Sequence, residues 1–305
     1  MTATDEIKTY DTRTFRRKVM HPHPELEELF RPDSDHFFVV RIEDVRLLTK
    51  LPTPPARELS HTCIYLLKRQ VEMQLGYKGY RLEKNHMLFI AAGQVFSVLS
   101  ISPDSAGFIC HFSPRTLSRI TSPVLLRVFP FLQLWGHPYV ELPGPSGTFI
   151  LRLLERLHVE YVQNGLQHPL LVEPYLFTLL SEISHALPPA FPGESTPALT
   201  MTRKFKELLY GNSGPKKSVS DYASALHITA NHLNKVVKSV TGKSPTQWID
   251  EVTVLEAKVL LFQSSLSISE VAYRVGLADP SYFARLFKKY EGTTPTGYRK
   301  SLNLS

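Results

Sequence analysis

Residues 267–299 read SISEVAYRVGLADPSYFARLFKKYEGTTPTGYR, and the architecture of the last third of the chain follows from them. Ser267 with Glu270 three residues on has the capping-box spacing, in which hydroxyl and carboxylate satisfy backbone donors at a helix start. Gly276 supplies the positive φ that a sharp turn needs. Asp279 and Pro280 then provide an N-cap followed by the proline tolerated at the first helical position. On the second helix Phe283, Leu286, Phe287 and Tyr290 recur at i, i+3, i+4 and i+7, a stripe predicted to be buried. Ser281, Tyr282, Ala284, Arg285, Lys288 and Lys289 are left outside. Two short helices, a tight turn and a basic outer face make a helix-turn-helix suited to phosphates and base edges.

The same pattern occurs a second time. SVSDYASALHITANHLNKVVKSVTGKSPTQW, residues 218–248, aligns with residues 267–298 at an offset of 49 before the turn and 50 after it. Ala223 pairs with Ala272 where the two helices cross, and Leu233 with Phe283. Downstream, Thr241-Gly242-Lys243-Ser244-Pro245-Thr246 matches Glu291-Gly292-Thr293-Thr294-Pro295-Thr296, each a glycine helix stop followed by a cap and a proline start. Between the copies, Ser244 with Gln247 caps a helix expected to run to Phe262. At 1.5 Å per residue it would be about 28 Å long. Successive major grooves on one side of B-DNA lie about 34 Å apart, so a stiff connector of this length could serve two grooves.

Charge agrees with that placement. The chain has 305 residues and a formal net charge of +7; basic and acidic residues balance at 20 each over residues 1–199 but stand at 15 to 8 over residues 200–305. A localised basic excess is the electrostatic footprint of nucleic-acid binding. A hydrophobic share of 43% is that of an ordinary globular chain with room for two or three domains. No apolar run reaches the roughly 18 residues of a membrane span, and the N-terminus lacks the apolar core of a secretory signal, so a cytoplasmic location is expected. Cys63 and Cys110 each sit in an apolar run and read as buried free thiols.

Earlier in the chain, QVEMQLGY alternates Val71, Met73, Leu75 and Tyr77 with polar or small residues, the period of a half-buried strand. Apolar runs at Phe37–Val40, Thr62–Leu67, Met87–Ile90, Val95–Ile101 and Phe108–Phe112, separated by turn-like segments including KGY, predict an antiparallel sandwich or barrel. From Pro114 the pattern turns helical. Ile150, Leu153, Leu154, Leu157 and Tyr161 form one stripe, and Leu176, Leu179, Leu180, Ile183 and Leu187 another. Gly165 and Pro169 lie between them, as in a helical hairpin. This hairpin is expected to bury its stripes against the strands and a second subunit. ALPPAFPGESTPALT, residues 186–200, reads as a proline-stiffened linker.

On LEAKVLL, ISEVAYRVGLADPSYFARLFKKYEG and TPTGYR the chain resembles the AraC/XylS family of transcription regulators over residues 202–300. That resemblance implies an α+β, multi-domain protein. Its parts are a cupin-like effector-binding β-barrel (1–145), a dimerising hairpin (146–187), a linker (188–200) and an all-α DNA-binding domain (201–305) with helix-turn-helix units at 218–242 and 267–292. It further implies a sequence-specific activator that binds double-stranded DNA as a homodimer, engages RNA polymerase and responds to a small effector. Departures are visible. Val252 and Val259 replace arginines that many members carry on the connecting helix, and His227 stands at the turn position that Gly276 holds in the second copy.

Recognition side chains follow from the outer faces. In the first copy these are Asn231, His232, Asn234, Lys235 and Lys238 after the cap Thr229; asparagine can pair bidentately with adenine, and lysine can reach guanine or phosphate. Asn234 and Lys235 are the expected base readers. The family resemblance places Ser281, Tyr282 and Arg285 at the corresponding positions of the second copy, with Arg285 the candidate for guanine. Lys238, Lys288 and Lys289 are assigned to phosphates.

No Ser/His/Asp set, phosphate-cradling glycine loop or zinc-ligand spacing is evident, so neither an enzyme nor a cofactor is expected. His21, His23 and Glu27 have a tempting metal-ligand spacing but precede the main strands and sit among prolines. His61, His86 and His111 read as surface or satisfied core histidines. Lys68, Arg69 and Arg81 could receive an anionic effector, whose identity the sequence leaves open. Alternatives are a regulator whose N-terminal domain only dimerises and a cupin enzyme fused to a DNA-binding module.

Overall fold

Nine strands and two groups of helices make up the structure, a computed structural model that describes residues 12–117, 122–134, 138–142, 144–187, 196–211 and 218–302. The strands are β1 (Phe37–Arg41), β2 (Ala56–Arg57), β3 (His61–Lys68), β4 (Val71–Leu75), β5 (Lys78–Leu82), β6 (His86–Ile90), β7 (Val95–Ile101), β8 (Ala106–Phe112) and β9 (Tyr139–Glu141). Around them lie α1 (Thr12–Val19), α2 (Glu25–Leu29), α3 (Ile42–Val45), α4 (Ser122–Val128), α5 (Pro145–Asn164) and α6 (Pro169–Ala186). A second compact region holds α7 (Pro197–Gly211), α8 (Val219–Ala225), α9 (Ala230–Thr241), α10 (Pro245–Gln263), α11 (Ile268–Arg274), α12 (Pro280–Glu291) and α13 (Pro295–Leu302). The protein is therefore α+β, with strands confined to the N-terminal region among the described residues.

The strands form two antiparallel sheets, ordered β1-β8-β3-β6-β9 and β2-β7-β4-β5. No strand pairing joins them among the described residues, so the closed barrel expected from the sequence is not what forms. The edges explain this: β2 has two residues and β9 three, too short to close a hydrogen-bonded ring. Between the sheets lie Ile64, Leu66, Leu88 and Ile90 of the larger sheet with Val71, Met73, Leu75, Leu82 and Phe96 of the smaller. The opposite face of the larger sheet presents Cys63, Tyr65, Phe89, Phe108, Cys110 and Phe112 to a core shared with Ile150, Leu154, Leu157, Tyr161, Leu176, Leu179, Leu180 and Ile183 of α5 and α6. With both faces covered, β3 is buried from His61 to Leu66, and its sequence reads as an unbroken apolar run from Cys63 to Leu67. β4, covered on one face, keeps its strict alternation.

Cys63 and Cys110 are directly opposite on β3 and β8, free and buried. A hydrogen bond with the Cys63 thiol, then burial, pushes the Cys110 thiol well above its usual range. One register step away, His111 Nδ1 lies 2.9 Å from Thr62 Oγ1 and its ring stacks on Phe38 at 4.6 Å. Burial, then Arg16 and His61, lowers the His111 imidazole to about 3, and burial lowers His61 to about 4. His111 is thus neutral at pH 7. Its 3.7 Å approach to Glu58 is a polar contact, not an ion pair.

The hairpin of α5 and α6 turns at Gly165, with φ of 61°. Glu160 fixes it: its carboxylate accepts from His168 at 2.8 Å, Arg156 at 2.9 Å and Asn164 at 2.9 Å. Those three bonds, in that order, hold the carboxyl down at about 2. Asp33 adds a tie by accepting from the Leu166 amide at 2.7 Å.

Three elements depart from the sequence reading. β5 forms over KGY, whose residue types predict a turn; it is an edge strand, exposed except at half-buried Tyr80 and buried Leu82, and so its apolar alternation is weak. β9 arises inside the stretch read as helical and pairs with β6. Residues 197–200 belong to α7 rather than to a linker, Pro197 being at its start. Linker residues 188–195 lie outside the described ones.

Candidate nucleic-acid interface

Local chemistry builds the two helix-turn-helix copies from matching parts. Ser218 with Asp221 and Ser267 with Glu270 both form complete capping boxes. The turns contain His227 at φ 57° and Gly276 at φ 81°. Thr229 accepts the His232 amide at 3.2 Å, and Asp279 the Ser281 amide at 2.8 Å. Gly242 and Gly292 close α9 and α12 in the left-handed conformation, at φ 74° and 71°. Ser244 and Gln247 complete a third capping box at the start of α10, whose 19 residues span about 28 Å.

Burial repeats along α9 and α12 position by position. Leu233, Val236 and Val237 are inward in the first, and Phe283, Leu286 and Phe287 in the second. Asn231, His232, Lys235 and Lys238 are exposed, as are Ser281, Tyr282, Arg285, Lys288 and Lys289. The equivalences are therefore Asn231 with Ser281, His232 with Tyr282, Lys235 with Arg285 and Lys238 with Lys288. Asn234 differs from expectation. It is half-buried, and its Nδ2 donates to the Ala230 carbonyl at 3.0 Å, so the amide is turned back onto its own helix. Its counterpart is Ala284, and the exposed residues that follow the two are Lys235 and Arg285. Tyr290, at the edge of the stripe, is half-buried; burial, then Asp250 and Glu251, pushes its hydroxyl up to about 12.

Two features escaped the sequence reading. Tyr273 on α11 is 79% exposed where the first copy has Ser224. Lys258, within LEAKVLL, is buried and paired with Glu291 at 2.7 Å. Val252 and Val259, the departures on the connecting helix, differ in burial: Val259 is buried and Val252 half-buried against the first copy's core.

The N-terminal candidates are scattered. His21, His23 and Glu27 are exposed, and no His/Cys/Asp/Glu group among the described residues could hold a metal ion. His61 Nδ1 accepts the Ala92 amide at 3.1 Å, and His86 Nδ1 the Glu83 amide at 2.9 Å. Arg81 is paired with Glu83 at 3.2 Å, and Lys68 is exposed at the end of β3. Arg69 lines an open cleft of about 580 Å³ with Lys84, Gln70, Ser102 and Asp104. No described helix is long and apolar enough to cross a membrane.

Two linked helix-turn-helix copies with exposed basic faces define a DNA-binding module, and a family model described as a helix-turn-helix domain matches residues 222–301. The C-terminal region is an AraC/XylS-type helix-turn-helix domain. Similar curated proteins include an uncharacterized HTH-type transcriptional regulator, YisR, of Bacillus subtilis, 36% identical over 28% of this chain and 30% of that one. Another is the Msm operon regulatory protein of Streptococcus mutans, 28% identical over 44% and 48%. The chain spans less than half the length of these two relatives. Among solved structures, ToxT of Vibrio cholerae aligns over 88% of this chain and 97% of its own at 14% identity, with a TM-score of 0.45.

Proposed function

We propose that the chain is a sequence-specific DNA-binding transcription regulator, an activator, that seats α9 and α12 in adjacent major grooves of one duplex. The observation that carries this reading is the matched order of exposed and buried positions on the two helices, with Lys235 and Arg285 at the same outward place. Arg285 reads guanine bidentately, and Lys235 reads a base edge in the first half-element. Asn231, His232, Ser281 and Tyr282 flank them, Asn234 supports its helix from within, and Lys238, Lys288 and Lys289 contact phosphates. Thr229 presents its helix start to the backbone.

The N-terminal region acts as the regulatory half, its two facing sheets being the flattened equivalent of a cupin-like barrel that takes a small effector. The α5–α6 hairpin joins two copies. Support comes from Phe149, Val159 and Val162, which are 58%, 46% and 53% exposed on the outer side of α5. Contact with RNA polymerase follows from the activator role. A second reading, in which this region only dimerises, is favoured by the side chains that fill the space between the sheets.

In vitro selection of duplex DNA with the full chain tests the main reading. Two half-elements about one helical turn apart per chain are expected, and a lone short element overturns the two-groove model. Thermal stabilisation by a member of a metabolite set, with a shift that grows with concentration, supports effector binding; none across the set supports dimerisation alone.

A further inference from the structure

The two copies share α10, and the same position of each recognition helix is fastened to it. Thr241 is the last residue of α9 and Glu291 the last of α12. Trp248 of α10 donates its indole Nε1–H to Thr241 Oγ1 at 3.0 Å. Ten residues further along α10, Lys258 Nζ lies 2.7 Å from Glu291 Oε2, with side chains 8% and 11% exposed. The fastenings are therefore about 15 Å apart along the helix. One is a neutral hydrogen bond and the other a buried ion pair, yet they hold equivalent residues.

Each recognition helix is otherwise seated mainly by apolar contact, through Leu233 and Val237 in one copy and Phe283 and Phe287 in the other, with one further polar tie in the second copy, where the Tyr290 hydroxyl bonds to Asp250 of α10. Apolar contact is non-directional and leaves a helix free to rock about its buried stripe. A hydrogen-bonded group at the helix end is directional and removes that freedom. For cohesion alone, an apolar pair at Lys258 and Glu291 would serve as well or better, because desolvating two charges offsets much of their attraction.

We propose that Trp248–Thr241 and Lys258–Glu291 are positioning contacts that set the separation and pitch of the two recognition helices, and so the number of base pairs accepted between the half-elements. The proposal rests on the DNA-binding reading above. The four residues are buried or half-buried and are none of those assigned above to base or phosphate contact.

The test uses the full chain and its selected duplex, with one base pair added or removed between the half-elements. The unaltered protein loses about tenfold or more in affinity for either change, a penalty like that of a mismatched base pair. A double variant, Lys258→Met with Glu291→Met, is expected to fold, to bind the original duplex within about threefold, and to shrink the spacing penalty below about threefold. Trp248→Phe, which keeps an aromatic ring and removes the donor, shrinks it less. Folded variants that keep the full penalty overturn the proposal. Should the double variant fail to fold, Glu291→Gln and Trp248→Phe decide in the same way. Failure of the unaltered protein to select any duplex would overturn the DNA-binding reading instead.

Discussion

The two helix-turn-helix copies are built to one plan with different materials. The second has glycine at its turn, aspartate at its recognition-helix cap and arginine at the exposed position proposed to read a base. The first has histidine, threonine and lysine at those places. Backbone geometry is nonetheless the same in kind, since both turns pass through a left-handed residue and both recognition helices end on a left-handed glycine. The plan thus lies in where caps, turns and apolar positions fall, and the particular residues tune each copy. Arginine's planar fork suits bidentate contact with a base, whereas lysine is a point charge on a flexible stem. The second copy is accordingly expected to discriminate sequence more strongly, reversing the weight that Asn234 suggests when only its residue type is considered.

That contrast can be broken first at the reading positions. Arg285→Ala is expected to cost about 1–3 kcal/mol of binding and to relax preference at one base pair, and Lys235→Ala about 1 kcal/mol with little relaxation. Titration against duplexes substituted singly in each half-element measures both; equal relaxation in the two would remove the asymmetry. At the turns, Gly276→Ala forces a Cβ into the left-handed region and should destabilise the C-terminal region by about 1–2 kcal/mol. His227→Gly relieves such strain but loosens the unfolded chain, leaving a net change within about 0.5 kcal/mol. Denaturant unfolding of the two variants reads the difference.

Caps give a smaller contrast. Asp279→Ala should cost about 1 kcal/mol, and Thr229→Ala somewhat less given its longer bond to the helix. Comparable midpoints for the two variants would make the caps interchangeable. Smallest is the phosphate contribution: Lys238→Ala and Lys288→Ala should each reduce the salt-dependence slope of binding by about 1, uniformly over sequences.

Much of the C-terminal region was legible because its signals are local. Capping pairs three residues apart, a positive-φ turn and an i, i+3, i+4, i+7 stripe are written within a dozen residues, and repetition confirms them. The N-terminal region depends on pairing between distant strands. β5 gives little alternation because only Tyr80 and Leu82 turn inward from an otherwise exposed edge, and β9 is recruited by β6 from some fifty residues away, so neither is marked by its own residues. Sheet closure failed for a similar reason, as it turns on the lengths of edge strands. At the interface, residue type named Asn234 correctly as an amide near the outer face but could not say that the amide bonds back to Ala230. Lys258 was hidden by position: a cation in LEAKVLL looks solvent-facing until Glu291, 33 residues later, is brought to it.

The neutral histidines of the larger sheet make the N-terminal region sensitive to acid. Imidazoles freed by unfolding take up protons near 6.5, while His61 and His111 in the folded state resist until about 4 and about 3. Between those values the unfolded chain binds more protons, so stability is full above pH 6.5 and falls as the pH drops toward 4, by at most about 1.4 kcal/mol per pH unit for each histidine. Cys63 and Cys110 sit one register step away on the same two strands. Their thiols should therefore become accessible to a pyridyl disulfide, a reagent activated by acid, in mildly acid-opened protein, reporting through chemistry on a seam that solvent does not otherwise reach.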